Sequence, residues 1–452
     1  MSLTPSSFLH YWDSKHGDRA LVSRGGLQHE RAGFRRSPQR NGRIRLRDHD
    51  VLPWRHGEID GVRKRLLWPQ RAQPPVSQDS VLFDPGSSAW TAAGVASSAA
   101  VPSALNRLPT GGEARRFTGD GVGVAEVAQA VGTFSGGKEY VQAVVEGDTS
   151  ATVEIGLWDA TAAAWVARES YDFAADTLTT VDAGADAVLA EVVGQRSANG
   201  GPLVILTLVA TGTSGNNREI RLRLDPAASG DSTILHQAEL VEEAIVTDPR
   251  AYVGAPVANV GDQIYWDAGP PPQDIVWYVR YKAGTVVGDT GGFTRIMDQG
   301  DGDNPKMRFI EDDDAPQRIL FHIRDLDDNS VFPLIEPNAV LGSTVDLIGA
   351  ARISSDGSIR IIGSVDGGDT VVDDSITPAS WTPPTSWGAN NRIVLNERAD
   401  LTGFGRSSLG YDRILALKAG DLDNDPFTAP AEDVYNEVAG VELTREYTVR
   451  TF

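Results

Sequence analysis

The stretch that decides the fold is STILHQAELVEEAIVTDP, Ser232 to Pro249. Ile234, His236, Ala238 and Leu240 alternate with Leu235, Gln237, Glu239 and Val241, the two-residue period of a β-strand. Glu242 and Glu243 end the run, and Asp248-Pro249 is a turn signal. The sequence before this strand reads as one β-domain that it closes. The sequence after it reads as a second domain that it introduces.

Short β-type runs separated by Gly, Asp, Asn and Pro dominate on both sides, in a chain of 452 residues with 47 Gly and 25 Pro. That length accommodates two or three domains with their own cores, and the pattern predicts an all-β chain. Upstream, strands are expected near Glu113–Phe117, Val127–Phe134, Glu139–Glu146, Thr152–Trp158, Ala164–Glu169, Ala187–Val193, Pro202–Thr211 and Glu219–Leu224. Leu203 to Val209 is apolar except for Thr207, which predicts a strand buried on both faces. Regular strands with turn residues between them are the signature of a two-sheet sandwich. Downstream, candidates run from Val260–Ala268 and Asp274–Lys282 through Ser343–Ile353 and Ser358–Val365 to Tyr411–Leu417, and the tail ends in the strand-like EYTVRTF.

Charge is unevenly placed. Residues 1–75 hold 15 Lys and Arg against 7 Asp and Glu, a local +8, so the remainder carries −29 of the total of −21. This predicts an extended basic N-terminal arm, over 1–75, that docks onto something acidic or packs on the chain's own domains. Few of its arginines are interleaved with stacking aromatics, so nucleic acid is not the expected partner. No apolar run is long enough to span a bilayer. The N-terminus has no signal-peptide pattern, so synthesis in a cytoplasm is expected. There is no cysteine, which excludes disulfides and thiolate metal sites.

The closing strand also carries a resemblance. HQAELVEEAIVTDP resembles the GAQLEEG ending of a carbohydrate-binding-module-like jelly roll found in tail-fibre and other appendage proteins of tailed bacteriophages. GGKEYVQAVVEGDT is similar to a strand of that module, and VSQDSVLFDPGSSAW to its opening. Upstream, HERAGFRRS, NGRIRLRDHD and DGVRKRLLWPQRAQ resemble the collar that precedes it. Arg71 takes the place of the Arg in the collar's RTN, whereas Ala72-Gln73 replace Thr-Asn, and Trp68-Pro69 stand where the family has Ile-Glu. Farther on, PPPQDIVWYVRYKAG, RIVLNERADLTGF and LGYDRILALKAGDLD resemble a concanavalin-like (laminin-G-like) sandwich. The domains implied are the arm at 1–75, the jelly roll at 76–249 and the second sandwich at 250–452.

Catalytic constellations are missing. Outside the arm only His236 and His322 occur, both in expected strands, and no nucleophile elbow accompanies them. The ExDxxE carboxylate pattern of concanavalin-like glycosidases is absent between Val260 and Phe452, as are a Walker loop and HExxH. A non-enzyme is therefore expected.

Binding chemistry has more candidates. Sugar binding needs flat apolar platforms beside polar groups. Trp158 and Trp165, with Tyr171, are the upstream candidates. Trp266, Trp277, Trp381 and Trp387 are the downstream ones, the last two flanking the loop WTPPTSW. Each is a platform or a core residue. Asp298, Asp301 and Asp303 cluster carboxylates that suit calcium, as do Asp421, Asp423 and Asp425; solvated acidic turns are the alternative. No other cofactor is expected.

The resemblance implies a structural protein of a tailed phage or phage-like particle, made in the host cytoplasm and displayed on the virion surface. It would be anchored to other virion proteins by its arm and bind host-surface glycans. A homotrimer is implied too; the opposite charges of arm and body add the expectation that Arg35, Arg36, Arg43, Arg45, Arg63 and Arg65 cross onto acidic neighbours. The alternative is a host-encoded lectin-like or glycosidase-associated carbohydrate-binding protein.

Overall fold

A computed structural model describes residues 8–13, 22–23, 28–30, 35–38, 44–47, 54–69, 81–83, 90–101, 114–195, 201–242, 263–267, 274–283, 294–300, 306–312, 318–325, 329–331, 334–335, 343–352, 357–365, 371–376, 392–395 and 409–441. It is all-β apart from one 3-10 turn and one helix, and its paired strands are antiparallel. The chain forms two compact units. One comprises residues 33–48 and 73–260, the other 1–32, 49–72 and 261–452.

In the first unit, a seven-stranded sheet runs in the order Val95–Val101, Ala114–Gly119, Ser232–Val241, Lys138–Gly147, Pro202–Thr211 and Ala185–Gln195, with Val81–Phe83 also on Ser232–Val241. A six-stranded sheet runs Thr177–Asp182, Ala164–Asp172, Thr152–Asp159, Asn217–Asp225, Ala125–Thr133 and Thr91–Ala93. Their inner faces share one core, including Val127, Val141, Val145, Ile155, Leu157, Leu206, Leu208, Leu222 and Leu240. Leu203 to Val209 is buried on both faces, as its composition predicts.

The closing strand departs from simple alternation. Its register with Lys138–Gly147 shifts at His236: Val145 faces Leu235, but Val144 faces Gln237. The extra residue is a β-bulge, which flips every later side chain to the other sheet face. Leu235, Ala238 and Leu240 therefore all point into the core, although the sequence sets Leu235 on the opposite face from Ala238. His236 turns away and meets Glu146 at 3.0 Å.

The second unit corrects the boundary at residue 75. Phe8–Asp13 pairs with Leu409–Lys418, and Gln28–Glu30 pairs with Gln263–Asp267. Trp54–Ile59 and Val62–Leu67 form a hairpin that joins Leu409–Lys418 through Leu67 and Tyr411. Its turn is Asp60-Gly61, both with positive φ (53° and 69°), the pair that a type I′ turn selects. These segments alternate well enough to extend a sheet, and Leu67 joins the core of the second sandwich. Much of the basic segment is thus part of a sandwich rather than a separate arm.

That sandwich has a nine-stranded sheet, whose path is Val22–Ser23, Phe8–Asp13, Leu409–Lys418, Asp274–Ala283, Thr344–Arg352, Ile359–Val365 and Val372–Ile376. Facing it is an eight-stranded sheet built on Arg318–Arg324, Lys306–Asp312, Thr294–Gly300, Arg392–Leu395 and Gln263–Asp267. Phe309 and Phe321 stack in the core at 4.7 Å. Gly349 admits them, since a Cβ there would lie 2.4 Å from Phe309 Cζ.

The helix Ala431–Ala439 was not legible as such in the sequence, where Tyr435 onward reads as a tail. Pro430 precedes it, and Glu432 and Asp433 occupy its first turn, where they suit the positive end of the helix dipole. Val434 and Val438, four residues apart on one face, bury against Val276, Ile348, Ile362, Leu415 and Leu417 on the outer face of the nine-stranded sheet. Burial of each such side chain stabilises by about 1.5–3 kcal/mol.

Candidate functional site

The six-stranded sheet of the first unit brings Trp158 and Trp165 together. They form a cross-strand pair between Thr152–Asp159 and Ala164–Asp172. Their rings meet edge to face, with centroids 5.2 Å apart and planes at 79°. Both are half-buried and lie outside the shared core. Along Thr152–Asp159, Val153, Ile155 and Leu157 point inward, so Glu154, Gly156 and Trp158 point outward. The register shift between Leu157 and Trp158 sets Trp165 opposite Trp158, although strict alternation with core Ala167 and Tyr171 would turn it inward. Gly156 is the floor under Trp165, because a Cβ there would lie 2.5 Å from the indole ring.

Asn217–Asp225 runs beside this hairpin and sets Arg221 opposite Gly156 and Arg223 opposite Glu154. The Arg221 guanidinium lies 4.0 Å from the Trp158 ring centroid. Arg168 and Arg223 lie 4.8 and 5.2 Å from that of Trp165. Carboxylates lock these cations in place. Glu126 accepts from Arg221 Nη1 at 3.2 Å and Arg223 Nε at 2.9 Å. Arg168 donates to Glu154 at 3.1 Å and to Asp182 at 2.7 Å. Arg221 also pairs with Glu219 at 2.8 Å. The result is a braced aromatic and guanidinium surface. It offers apolar ring surface beside N–H donors and carboxylate acceptors, the mixture that hydroxyl-rich ligands require.

The sequence named the two tryptophans but missed Arg168, Arg221, Arg223, Glu126 and Glu154. The signal was present. In NREIRLRLD, charged Glu219, Arg221 and Arg223 alternate with buried Ile220, Leu222 and Leu224, which fixes an outward charged row in the middle of a sheet.

At the inner side, Arg218 is fully buried and pairs with Glu139 at 2.6 Å and Glu242 at 2.7 Å. Its Nε donates to the Val131 carbonyl at 2.9 Å. Burial pushes the Glu139 carboxyl up, and Arg218 opposes that shift. Glu169 is also raised by burial. These groups hold the sandwich and do not face the platform.

The second unit has a polar cluster on the outer face of its nine-stranded sheet. Tyr278 and Tyr435 donate to the two oxygens of Asp346, at 2.9 and 3.0 Å. Arg280 approaches Asp346 at 3.3 Å and pairs with Asp60, while Lys64 pairs with Asp412 at 2.7 Å. Burial raises Asp346, with Arg280 opposing, and raises Tyr435 to about 12. The Tyr435 hydroxyl ties the helix Ala431–Ala439 to the sheet.

The other sequence candidates separate. Trp266, Trp277 and Tyr171 are fully buried core residues. Trp381 and Trp387 lie outside the described residues. Asp298 sits within Thr294–Gly300, 2% exposed, with Arg295 at 3.4 Å; Asp301 and Asp303 lie outside the described residues. No cluster of three or more potential metal ligands occurs among the described residues. The Asp421–Asp425 run is organised internally. Glu437 accepts the backbone N–H groups of Asp423 and Asn424 at 2.8 and 2.9 Å, and Asp425 accepts from Phe427 N–H, Thr428 and Arg352.

Arg35, Arg36 and Arg45 lie on a hairpin, Arg35–Pro38 with Ile44–Arg47. Arg63 and Arg65 lie on the hairpin strand Val62–Leu67. The side chains of these five, and all of Arg43, are outside the described residues. His322 is a buried strand residue whose Nδ1 accepts from Arg308 Nε at 2.8 Å. Burial first, then Arg308, Lys306 and Arg324, lower it to about 2, so it stays neutral.

No protein-family model matches the chain, and a search of curated proteins returns no match. Solved structures give weak likenesses. The CBM40 of Ruminococcus gnavus IT-sialidase, bound to alpha2,3 sialyllactose, is 10% identical over 32% of this chain and 76% of its own, with a TM-score of 0.25. Botulinum neurotoxin type C, in a structure concerned with two ganglioside molecules, is 8% identical over 38% of this chain and 39% of its own, at 0.28. The tandem CBM22 domains of Paenibacillus barcinonensis Xyn10C are 11% identical over 77% of this chain and 98% of their own, at 0.24. At these scores the likenesses carry no argument about function.

Proposed function

We propose that this chain is a non-catalytic structural protein on the surface of a tailed-phage or phage-like particle, and that it binds host-surface glycans through the Trp158–Trp165 face. The observation that carries the binding reading is the braced pair itself. Two indoles stand on the outer face of a sheet whose inner face already has a full core, with three guanidinium groups held over their rings. Pyranose rings present an apolar CH face and equatorial hydroxyls, and this surface offers complements to both. The particle setting rests on the resemblance of the collar and jelly-roll motifs. Attachment falls to the basic segment, with the hairpin that holds Arg35, Arg36 and Arg45 as the piece that pairs with neither sandwich sheet among the described residues.

The test is binding of the full chain to an array of bacterial surface glycans, repeated with Trp158→Ala, Trp165→Ala and a Trp381→Ala/Trp387→Ala double variant. A bound glycan whose affinity falls about tenfold or more, or about 1.4 kcal/mol, in either of the first two variants and not in the third supports the reading. Undiminished binding in both single variants overturns it. Release of reducing ends by the pure protein, abolished by one carboxylate substitution, overturns the non-catalytic part.

A further inference from the structure

The edge of the seven-stranded sheet is formed by Val95–Val101, reading VASSAAV. It pairs with Ala114–Gly119 on one side and, among the described residues, with no strand on the other. Ala96 to Ala100 are all exposed, so both faces of the strand stand clear of the sandwich, and only Val95 and Val101 are half-buried. A free edge presents a row of backbone N–H and C=O groups that templates another strand, and proteins guard such edges with charge, proline or short length.

The other long edge strands are guarded. Thr177–Asp182 carries Asp182, Ala185–Gln195 carries Asp186 and Glu191, and Val372–Ile376 carries Asp373 and Asp374. Val95–Val101 carries none, and no charged residue occurs from Pro85 to Asn106 in a chain of net charge −21. Its remaining device is a register irregularity between Val95 and Ser97, at one end only.

The sequence is also nearly a palindrome. In an antiparallel pair centred on Ser98, Ser98 faces Ser98, Ser97 faces Ala99, Ala96 faces Ala100 and Val95 faces Val101. Every pair is small or matched, and none opposes like charges.

We propose that Val95–Val101 is a docking edge for a second copy of this chain, which adds across a two-fold axis at Ser98 and makes one continuous sheet from two. Main-chain hydrogen bonds supply the attraction, and the same patch serves both partners, as an isologous contact requires. An acidic protein that repels its own copies over most of its surface meets itself here along a strand with no charge of its own, where Arg115 of the neighbouring strand donates to Ser98 Oγ at 3.1 Å. The pairing is two-fold, so the assembly has an even number of chains, in place of the trimer implied by the phage resemblance. It would also double the Trp158–Trp165 platforms on one particle, where linked sites gain in avidity.

The experiment is mass measurement of the full chain by sedimentation equilibrium at up to tens of micromolar, for the wild type, Ser98→Lys and Ala99→Lys, with far-ultraviolet circular dichroism as the folding check. The wild type is expected to be a dimer. Either lysine, set against its own copy or against the strand edge, should raise the dissociation constant about fivefold or more. Since the chain has no cysteine, Ser98→Cys adds a second measurement: mild oxidation should yield a covalent dimer, and the edge control Thr177→Cys should not. A monomer throughout the range, an assembly indifferent to both lysines, or equal cross-linking of the two cysteine variants overturns the proposal.

Discussion

Two sheets in this molecule turn an outer face away from a finished core, and they dispose of it differently. The nine-stranded sheet covers its face. The helix Ala431–Ala439 lies over Val276, Ile348, Leu415 and Leu417, and Tyr435 closes on Asp346. The six-stranded sheet has Trp158, Trp165 and three arginines on its face, braced sideways by Glu126, Glu154 and Asp182. In the first case polar groups end inside the structure and serve stability. In the second they stay half-exposed, and their stacking fixes a surface. Aromatic residues on a sheet thus stay at the surface when their neighbours are charged and outward, and are buried when a further element covers them.

The contrast can be broken at its foundations first. Replacing Arg218 with Met leaves Glu139 buried without its partner, and such losses cost about 3–5 kcal/mol. Urea unfolding should show that fall for the first sandwich. A loss under about 1 kcal/mol would mean that the buried ion pair is not what holds the platform's sheet. Tyr435→Phe removes one hydroxyl from a buried carboxylate, and hydrogen bonds to charged groups contribute about 1.5–3 kcal/mol. Hydrogen exchange should show the Ala431–Ala439 amides opening more readily, while the first sandwich is unchanged. Gly156→Ala should cost about 1–3 kcal/mol as an overpacked position, because its Cβ would lie 2.5 Å from the Trp165 ring and 2.9 Å from the Ala167 carbonyl oxygen, and it displaces the Trp165 ring. A shifted tryptophan emission with a modestly lowered unfolding midpoint is the expected reading; an unchanged emission would show that the platform is not seated on Gly156.

The two faces also differ in how far the sequence reveals them. The strands at the centre of each sandwich were legible, because alternation and turn residues agree: Pro202–Thr211 has the bounds the pattern sets, and most of the others named differ by a few residues. The edge strands Val95–Val101, Thr177–Asp182 and Val372–Ile376 were not named, being short or polar, and three further things were not legible. The bulge at His236 is one added residue and leaves no compositional trace, so the side of Leu235 was assigned by alternation alone. The pairing of Phe8–Asp13 with Leu409–Lys418 joins segments at opposite ends of the chain, and local pattern holds no information about such distance. The helix Ala431–Ala439 is short, with only two buried valines to mark its face. At the site, Trp158 and Trp165 were legible as aromatics in strands, but their partners become visible only when three strands are set in register.

The strand order of the second sandwich has a consequence in time. Phe8–Asp13 is made well before Leu409–Lys418, its partner. At about 5–20 residues per second a ribosome needs on the order of tens of seconds to cover the interval. The first sandwich, drawn largely from 73–260, is complete within that wait. The second has to hold its early strands in reserve, a delay that loop closure over so long a stretch makes longer. Nascent chains arrested before Leu409 should therefore carry one protease-resistant sandwich and one susceptible N-terminal segment. Removing residues 1–75 would then cut strands out of the late-folding sandwich, so a truncation meant to test attachment would test folding as well.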